Sequence, residues 1–326
     1  MGKSLYLECY SGISGDMTVA ALLDLGADQK VLEDVLESIP VQGFEIKVSR
    51  VTKSGIDACD FDVILDAEID GHDHDMEYLH GHDHSHTHGA EEHNHSHTHE
   101  AEEHNHSHTH MAEEHNHQYE HSHEAAAKNV AAHGHAHGDE IAAHTHEPHR
   151  HHKHRGMNEI CQILADTKMT DSARGIALKI FQILAKAEAK AHNVPVEEVH
   201  FHEVGAVDSI VDILSVAVCL DNLGITEVIV PVLCEGMGTV RCQHGILPVP
   251  VPAVTHIVQQ CGLDLRITQV RGELVTPTGA AIVAAVRTSC KLPETFVIEK
   301  TGIGAGKRTY ECPGILRAML IHPEES

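Results

Sequence analysis

The segment His200-Phe201-His202-Glu203-Val204-Gly205-Ala206-Val207-Asp208-Ser209-Ile210-Val211-Asp212 places two imidazoles and three carboxylates within thirteen residues. In an extended strand, side chains 200 and 202 leave the same face roughly 6–7 Å apart, so His200 and His202 are placed to converge on one cation. Asp208 and Asp212, spaced i,i+4, share one face of the helix that follows. Ile210, Val211, Ile213 and Leu214 mark that helix as largely buried. A carboxylate in such surroundings needs a cation, a metal or several hydrogen bonds. His202, Glu203, Asp208 and Asp212 are therefore candidates for holding an ion or orienting a substrate, with His200 as a further metal ligand. Taken as residues alone, the segment also admits a plainer reading, in which Asp208 caps its helix and the histidines are ordinary core or surface residues.

A larger store of ligands lies between His72 and His154, where 83 residues carry 28 of the 34 histidines and almost no branched aliphatic side chains. AEEHNHSHTH starts at Ala90 and again at Ala101, and a shortened AEEHNH starts at Ala112, a period of 11. Such a period makes a right-handed coiled coil only where an apolar seam exists, and here there is none. The tract reads as a low-complexity, disordered insertion. Neutral imidazole ligates nickel, copper and zinc. The sets His84, His86, His88; His95, His97, His99; and His106, His108, His110 offer overlapping His-x-His sites. Affinity alone ranks copper above nickel, so a nickel assignment rests on context and metal supply. A solvated insertion without function is the alternative, and a purification tag fits less well because the tract is internal.

Three further groups bear on chemistry. Ser11-Gly12-Ile13-Ser14-Gly15-Asp16 follows a strand and opens a helix, so its backbone N–H groups are available to an anion; Asp16 is either a site residue or simply a helix-start residue. Cys234-Glu235-Gly236-Met237-Gly238 and Arg241-Cys242-Gln243-His244-Gly245 mix thiols, a carboxylate and an imidazole, but a C-x7-C spacing matches no common zinc pattern. Its glycines suit a tight turn, with Arg241 and His244 available for a phosphate or substrate carboxylate. Thr301-Gly302-Ile303-Gly304-Ala305-Gly306-Lys307-Arg308 has Thr at the first phosphate-loop glycine position and Arg at the Mg²⁺-binding hydroxyl position, and reads as a plain loop.

The chain has 326 residues and a formal net charge of −26, and the tract supplies 16 acidic against 3 basic residues of it. No Lys/Arg-rich stripe offers the electrostatic footprint of a nucleic-acid binder. No apolar run reaches the roughly 20 residues that span a bilayer, and the N-terminus lacks a signal peptide's apolar stretch, so a cytoplasmic location without membrane contact is expected. The nine cysteines show no paired framework and read as reduced thiols, mostly core.

Periodicity then gives the elements that must position these groups. A strand at 4–9, helices at 16–25 and about 29–38, and a hairpin of 43–51 and 56–66 form a first α+β segment, 1–70. The insertion occupies 71–155. The main segment, 156–326, reads as helices at 157–166, 171–192 and 206–223, then strand 227–233, a Gly-rich turn, helix 252–261, strand 263–270, helix 277–287, and strands 295–300 and 315–321. Pro252 and Pro277 suit the first helical position, where the missing N–H has no intrahelical partner to lose. The fold class is mixed α/β, a mixed sheet with flanking helices.

Taken together, YSGISGDM (10–17), the His-rich insertion, FHEVGAVDSIVDI (201–213), the stretch from Gly238 to Pro252 ending HGILPVPVP, and ELVTPTGAA (273–281) resemble the LarC-type nickel insertion proteins. The match runs over nearly the whole chain in one order. It implies a nickel chelatase that inserts nickel into pyridinium-3,5-bisthiocarboxylic acid mononucleotide, using CTP with Mn²⁺ or Mg²⁺. Carbon–nickel and sulfur–nickel bonds then complete the cofactor of lactate racemase. Full-length members continue into a further domain to which nucleotide binding is attributed, so a C-terminal partner polypeptide or frameshifted extension is expected to complete this chain. A homo-oligomer stays open. The rival reading is a non-catalytic nickel store or metallochaperone, for which acidic residues on a buried helix face would have no use.

Imidazole must lose its proton to ligate, and its unperturbed pKa is about 6.5. Nickel loading of the tract is expected to be high at about pH 8 and to fall steeply by about pH 5. Equilibrium dialysis checks this, and loading unchanged across that range would point to carboxylate or thiolate ligands instead.

Overall fold

The computed structural model describes residues 3–66, 155–201, 207–242 and 244–323. The tract, together with the disorder expected of it, lies outside the described residues, as do His202 and Glu203. The described segments on either side of the tract belong to one compact unit.

Its centre is a six-stranded mixed sheet. From one edge to the other run β2 (Phe44–Lys53), β3 (Ile56–Leu65), β11 (Phe296–Ala305), β12 (Ile315–Pro323), β1 (Lys3–Glu8) and β6 (Ile225–Ile229). β2 and β3 form the expected hairpin, paired from Phe44 opposite Leu65 to Lys53 opposite Ile56. β12 lies antiparallel between β11 and β1, whereas β3 meets β11, and β1 meets β6, in parallel. First and last segments thus share one sheet, and neither supplies it alone.

Around the sheet lie α1 (Gly15–Leu25), α2 (Gln29–Leu36), α3 (Met157–Asp166), α4 (Asp171–His192), α5 (Val207–Leu223), α6 (Pro252–Cys261) and α7 (Pro277–Val286), of which α1 and α5 pack on its strands and the others chiefly on helices. α5 buries Ile210, Val211, Ile213, Leu214, Val216 and Ala217 completely, so it is apolar nearly all round, as an internal helix must be. It contacts α1, α2 and α4. Thr170 caps α4 by accepting from the Ala173 N–H at 3.0 Å, and Thr276 caps α7 by accepting from the Gly279 N–H at 3.1 Å. No helix among the described residues is long and apolar enough to cross a membrane.

Three local expectations need correction. The region after Ile229 is not one Gly-rich turn. It holds β7 (Leu233–Met237), which pairs in parallel with β10 (Leu265–Arg271), and a small hairpin of β8 (Thr239–Cys242) and β9 (Gly245–Pro248). The stretch from Thr301 is not a loop, since β11 continues to Ala305. All nine cysteines are free, but only Cys9, Cys59, Cys219 and Cys234 are buried. β5 (His200–Phe201) is a two-residue strand, antiparallel to β4 (Arg155–Gly156).

The glycines of 302–304 are explained by α1, whose backbone lies directly on β11. A Cβ on Gly304 would fall 2.0 Å from the Met17 carbonyl oxygen, and one on Gly302 would fall 2.2 Å from that of Ala21. The Ile303 N–H between them donates to Asp24 of α1 at 2.8 Å. Gly304→Ala must push backbone apart and is expected to destabilise the fold by about 1–3 kcal/mol. Gly175→Ala, at an exposed α4 position with open space around it, is expected to stabilise it by roughly 0.5–1 kcal/mol. Thermal denaturation of the two variants reads this opposition directly.

Candidate functional site: a charged cleft at the start of helix α1

Asp212 is carried by the buried helix α5 to the first turn of α1, where its carboxylate packs on Gly15: a Cβ there would stand 2.4 Å from Asp212 Oδ2. The Asp16 backbone N–H donates to that carboxylate, as the positive end of a helix favours. Asp212 Oδ1 is nonetheless buried without a hydrogen-bond partner among the described residues. Asp16 sits beside it, its carboxylate accepting from the Ser14 hydroxyl. Burial, the Asp16 charge and the Asp208 charge together push Asp212 well above the usual carboxylate range, outweighing Lys307 and the Asp16 N–H. Burial likewise raises Asp16, with Ser14, the Met17 N–H and Lys307 only partly offsetting it. Two half-buried carboxyls, the charge of one raising the other, favour keeping a proton between them.

The pair faces a cleft of about 840 Å³, within the size range of small-ligand sites. Asp208, Arg241 and His244 also line it, so the structure brings together Asp16, Asp208, Asp212, Arg241 and His244. It does not place His202 and Glu203, which lie outside the described residues, and of His200 it gives the backbone only.

Several lining residues escaped the sequence reading. Lys307 contacts Asp60 at 2.7 Å and Asp62 at 3.3 Å. Burial works against its charge, but these carboxylates and Asp16 prevail and raise its pKa. Arg308 reaches Glu273 at 2.8 Å, and the Tyr310 hydroxyl donates to the Glu273 carbonyl at 2.7 Å. Dismissal of 301–308 as a failed phosphate loop hid both cations. A basic pair directly after a glycine-rich strand was the available signal.

Behind one wall lies Glu235, fully buried on β7. Its Oε1 accepts from the N–H groups of Gly236, Leu274 and Val275 at 2.8, 2.7 and 3.1 Å. The strap it holds also exchanges backbone bonds with the α1 loop, Ile13 N–H to Leu274 at 2.9 Å and Thr276 N–H to Ile13 at 3.1 Å. Glu235 thereby ties together two segments that line the cleft. Burial raises its pKa against the pull of those N–H groups and Arg308. Among the described residues no three His, Cys, Asp or Glu side chains already stand in an array that would hold a metal ion.

A mixed α/β core around one large charged cleft is the architecture of a small-ligand binding protein. Over residues 5–326 the chain matches the family described as nickel insertion protein, and it belongs to that family. A protein of Alkaliphilus metalliredigens named pyridinium-3,5-bisthiocarboxylic acid mononucleotide nickel insertion protein is 46% identical over 321 residues, 98% of this chain and 61% of that relative. Proteins of the same name from Clostridium acetobutylicum and Acetivibrio thermocellus are 39% and 32% identical over 323 residues, 99% of this chain and 64% and 61% of theirs. The chain thus spans about three fifths of the length of these relatives. No solved structure matches it.

The raised carboxyls set a sign for pH dependence. Between the unfolded pKa of about 3.9 and the higher folded values, the folded chain binds more protons than the unfolded one. This contribution to stability is full below about pH 3.9 and is lost as pH rises through the folded values. Asp212→Asn removes the ionisation while keeping an oxygen for the Asp16 N–H. Its melting temperature relative to the parent is expected to climb with pH by at least roughly 2–4 °C. A pH-independent difference in parallel melts would show that the fold does not raise the Asp212 pKa.

Proposed function

We propose that this chain inserts nickel into pyridinium-3,5-bisthiocarboxylic acid mononucleotide, forming the nickel-pincer cofactor of lactate racemase in the cytoplasm. The names of its relatives and the family match support the reaction class. One structural observation carries the site: a carboxyl pair of raised pKa opens onto the same cleft as Lys307, Arg308 and Arg241. The cations suit the mononucleotide's phosphate. Nickel is the cargo, and the precursor's two sulfur atoms supply soft ligands to it.

Exchanging a ring carbon–hydrogen bond for a carbon–nickel bond releases one proton, and a carboxylate with raised pKa is matched to receive it. Asp212, with its unpartnered oxygen, is the base in this reading, and Asp16 shares the proton. Asp208 and the neighbouring His202 and Glu203 orient precursor or ion. CTP with Mn²⁺ or Mg²⁺ belongs to the reaction through a C-terminal part. The glycines at 302 and 304 are occupied by α1, so this stretch offers no phosphate cradle and no step in this chain runs through the nucleotide. The tract raises the local nickel supply.

An insertion assay with CTP, Mn²⁺, precursor and a separately supplied C-terminal part separates enzyme from store, with the nickel adduct read by mass spectrometry. Deleting Gly71 to His154 is expected to abolish turnover at scarce nickel and to restore it at abundant nickel. Asp212→Asn is expected to lose about 10²–10⁴-fold in rate at every nickel concentration, the usual worth of a general base. The opposite pattern, with the deletion dead throughout and the point variant fully active, would establish the storage or metallochaperone reading.

A further inference from the structure

We propose that Glu188, His192, His244 and Cys242 form a transit site for a borderline-soft divalent cation on the solvent side of the cleft. The proposal rests on the reading of nickel as the ion that enters there. Glu188 and His192 lie i,i+4 at the end of α4 and so share a helix face. Cys242 ends β8 and His244 directly precedes β9. All four side chains line the cleft. His192 is 35% and Glu188 16% exposed, so an arriving ion meets the imidazole first.

Their separations carry the argument. His192 Nε2 stands 3.5 Å from Glu188 Oε2, the two imidazole rings are 4.9 Å apart between centroids, and Cys242 Sγ is 4.0 Å from His244 Nδ1. Metal bonds of about 2.0–2.1 Å to nitrogen or oxygen and 2.3 Å to sulfur place two ligands of one tetrahedral ion roughly 3.3 Å (N, O) or 3.6 Å (N, S) apart. The spacings between donor atoms therefore exceed co-ligand distances by only a few tenths of an ångström. The His192–Glu188 separation is also longer than a good hydrogen bond between such groups. Two imidazoles, a thiolate and a carboxylate suit nickel, copper or zinc and not magnesium or calcium. The contacts run in series, Glu188 to His192 to His244 to Cys242, without a closed array of three. An open series of donors passes an ion along by ligand exchange instead of retaining it. As the sulfur–metal bond forms, the Cys242 thiol gives its proton to solvent. His244 thus acquires a metal-ligand task, and Arg241 keeps the anion contact.

The test exploits a gap in the tract's composition: its 28 histidines come with no cysteine. A thiolate-to-metal charge-transfer band in the near ultraviolet is therefore blind to ions held there. Titrating the full chain with Co²⁺, and separately Ni²⁺, is expected to develop this band. Cys242→Ser should abolish it, and His192→Ala or His244→Ala should weaken its apparent affinity by roughly tenfold or more. Cys161→Ser and Cys290→Ser, which remove the exposed thiols, should leave it unchanged. Absence of the band in the parent, or its survival in Cys242→Ser, would overturn the proposal. The insertion assay run alongside keeps the two readings apart. Adduct formation by the parent without a band sinks the transit site alone, whereas a Cys242-dependent band without adduct upholds the site and counts against insertion.

Discussion

The cleft depends on one unfavourable act, the burial of the Asp212 carboxyl against the first turn of α1. Gly15 allows the contact, the Asp16 N–H partly compensates it, and the proximity of Asp16 and Asp208 makes it worse. Nothing in core packing asks for a carboxyl there, since the neighbouring buried side chains of α5, Ile210, Val211, Ile213, Leu214 and Val216, are apolar. A cost of this kind persists in folded proteins where the perturbed group has work to do. In the proposed reaction that work is proton acceptance. The surrounding structure is arranged to hold α1, α5 and the β11 end in register around that contact.

Two devices keep that register. The first is the near-contact of α1 with β11 through Gly302 and Gly304, which brings Lys307 to the Asp16 side of the cleft. The second is Glu235, whose single oxygen accepts three backbone N–H groups and so anchors the 273–276 strap to β7. A charge-assisted acceptor in a dry interior is worth more than its neutral counterpart. Arg308 and Glu273, joined at 2.8 Å, finish the wall. The cleft is thus lined by the carboxyls of Asp16, Asp208 and Asp212 together with the cations Arg241, Lys307 and Arg308.

In the proposed function the tract and the folded core answer different physical demands. Dense imidazole gathers ions with little selectivity and little geometry. A bond-forming step needs fixed geometry, and that comes from α1, α5 and the strap. Between the two demands, the proposed series of Glu188, His192, His244 and Cys242 would meet an intermediate one, exchange without retention.

Much of the fold was legible because its signals are local. The period of α5, the Pro252 and Pro277 helix starts, the β2–β3 hairpin and the Asp208/Asp212 pairing on one face depend on residues within a few positions of one another, and the structure has each of them. The His-rich composition likewise suggested metal binding without any tertiary information. What local pattern could not carry was approach between distant segments. Residues 301–305 read as a loop because their glycines answer to α1, some 280 positions away, and not to their own neighbours. Glu235 looked like one of a set of weak ligands until the strap was laid across it. The sequence alone determined which chemical groups the chain possesses and the short elements that bear them. Only the tertiary structure decided that Asp16 and Asp212 meet in one cleft with Lys307, because desolvation and charge proximity are properties of where segments meet.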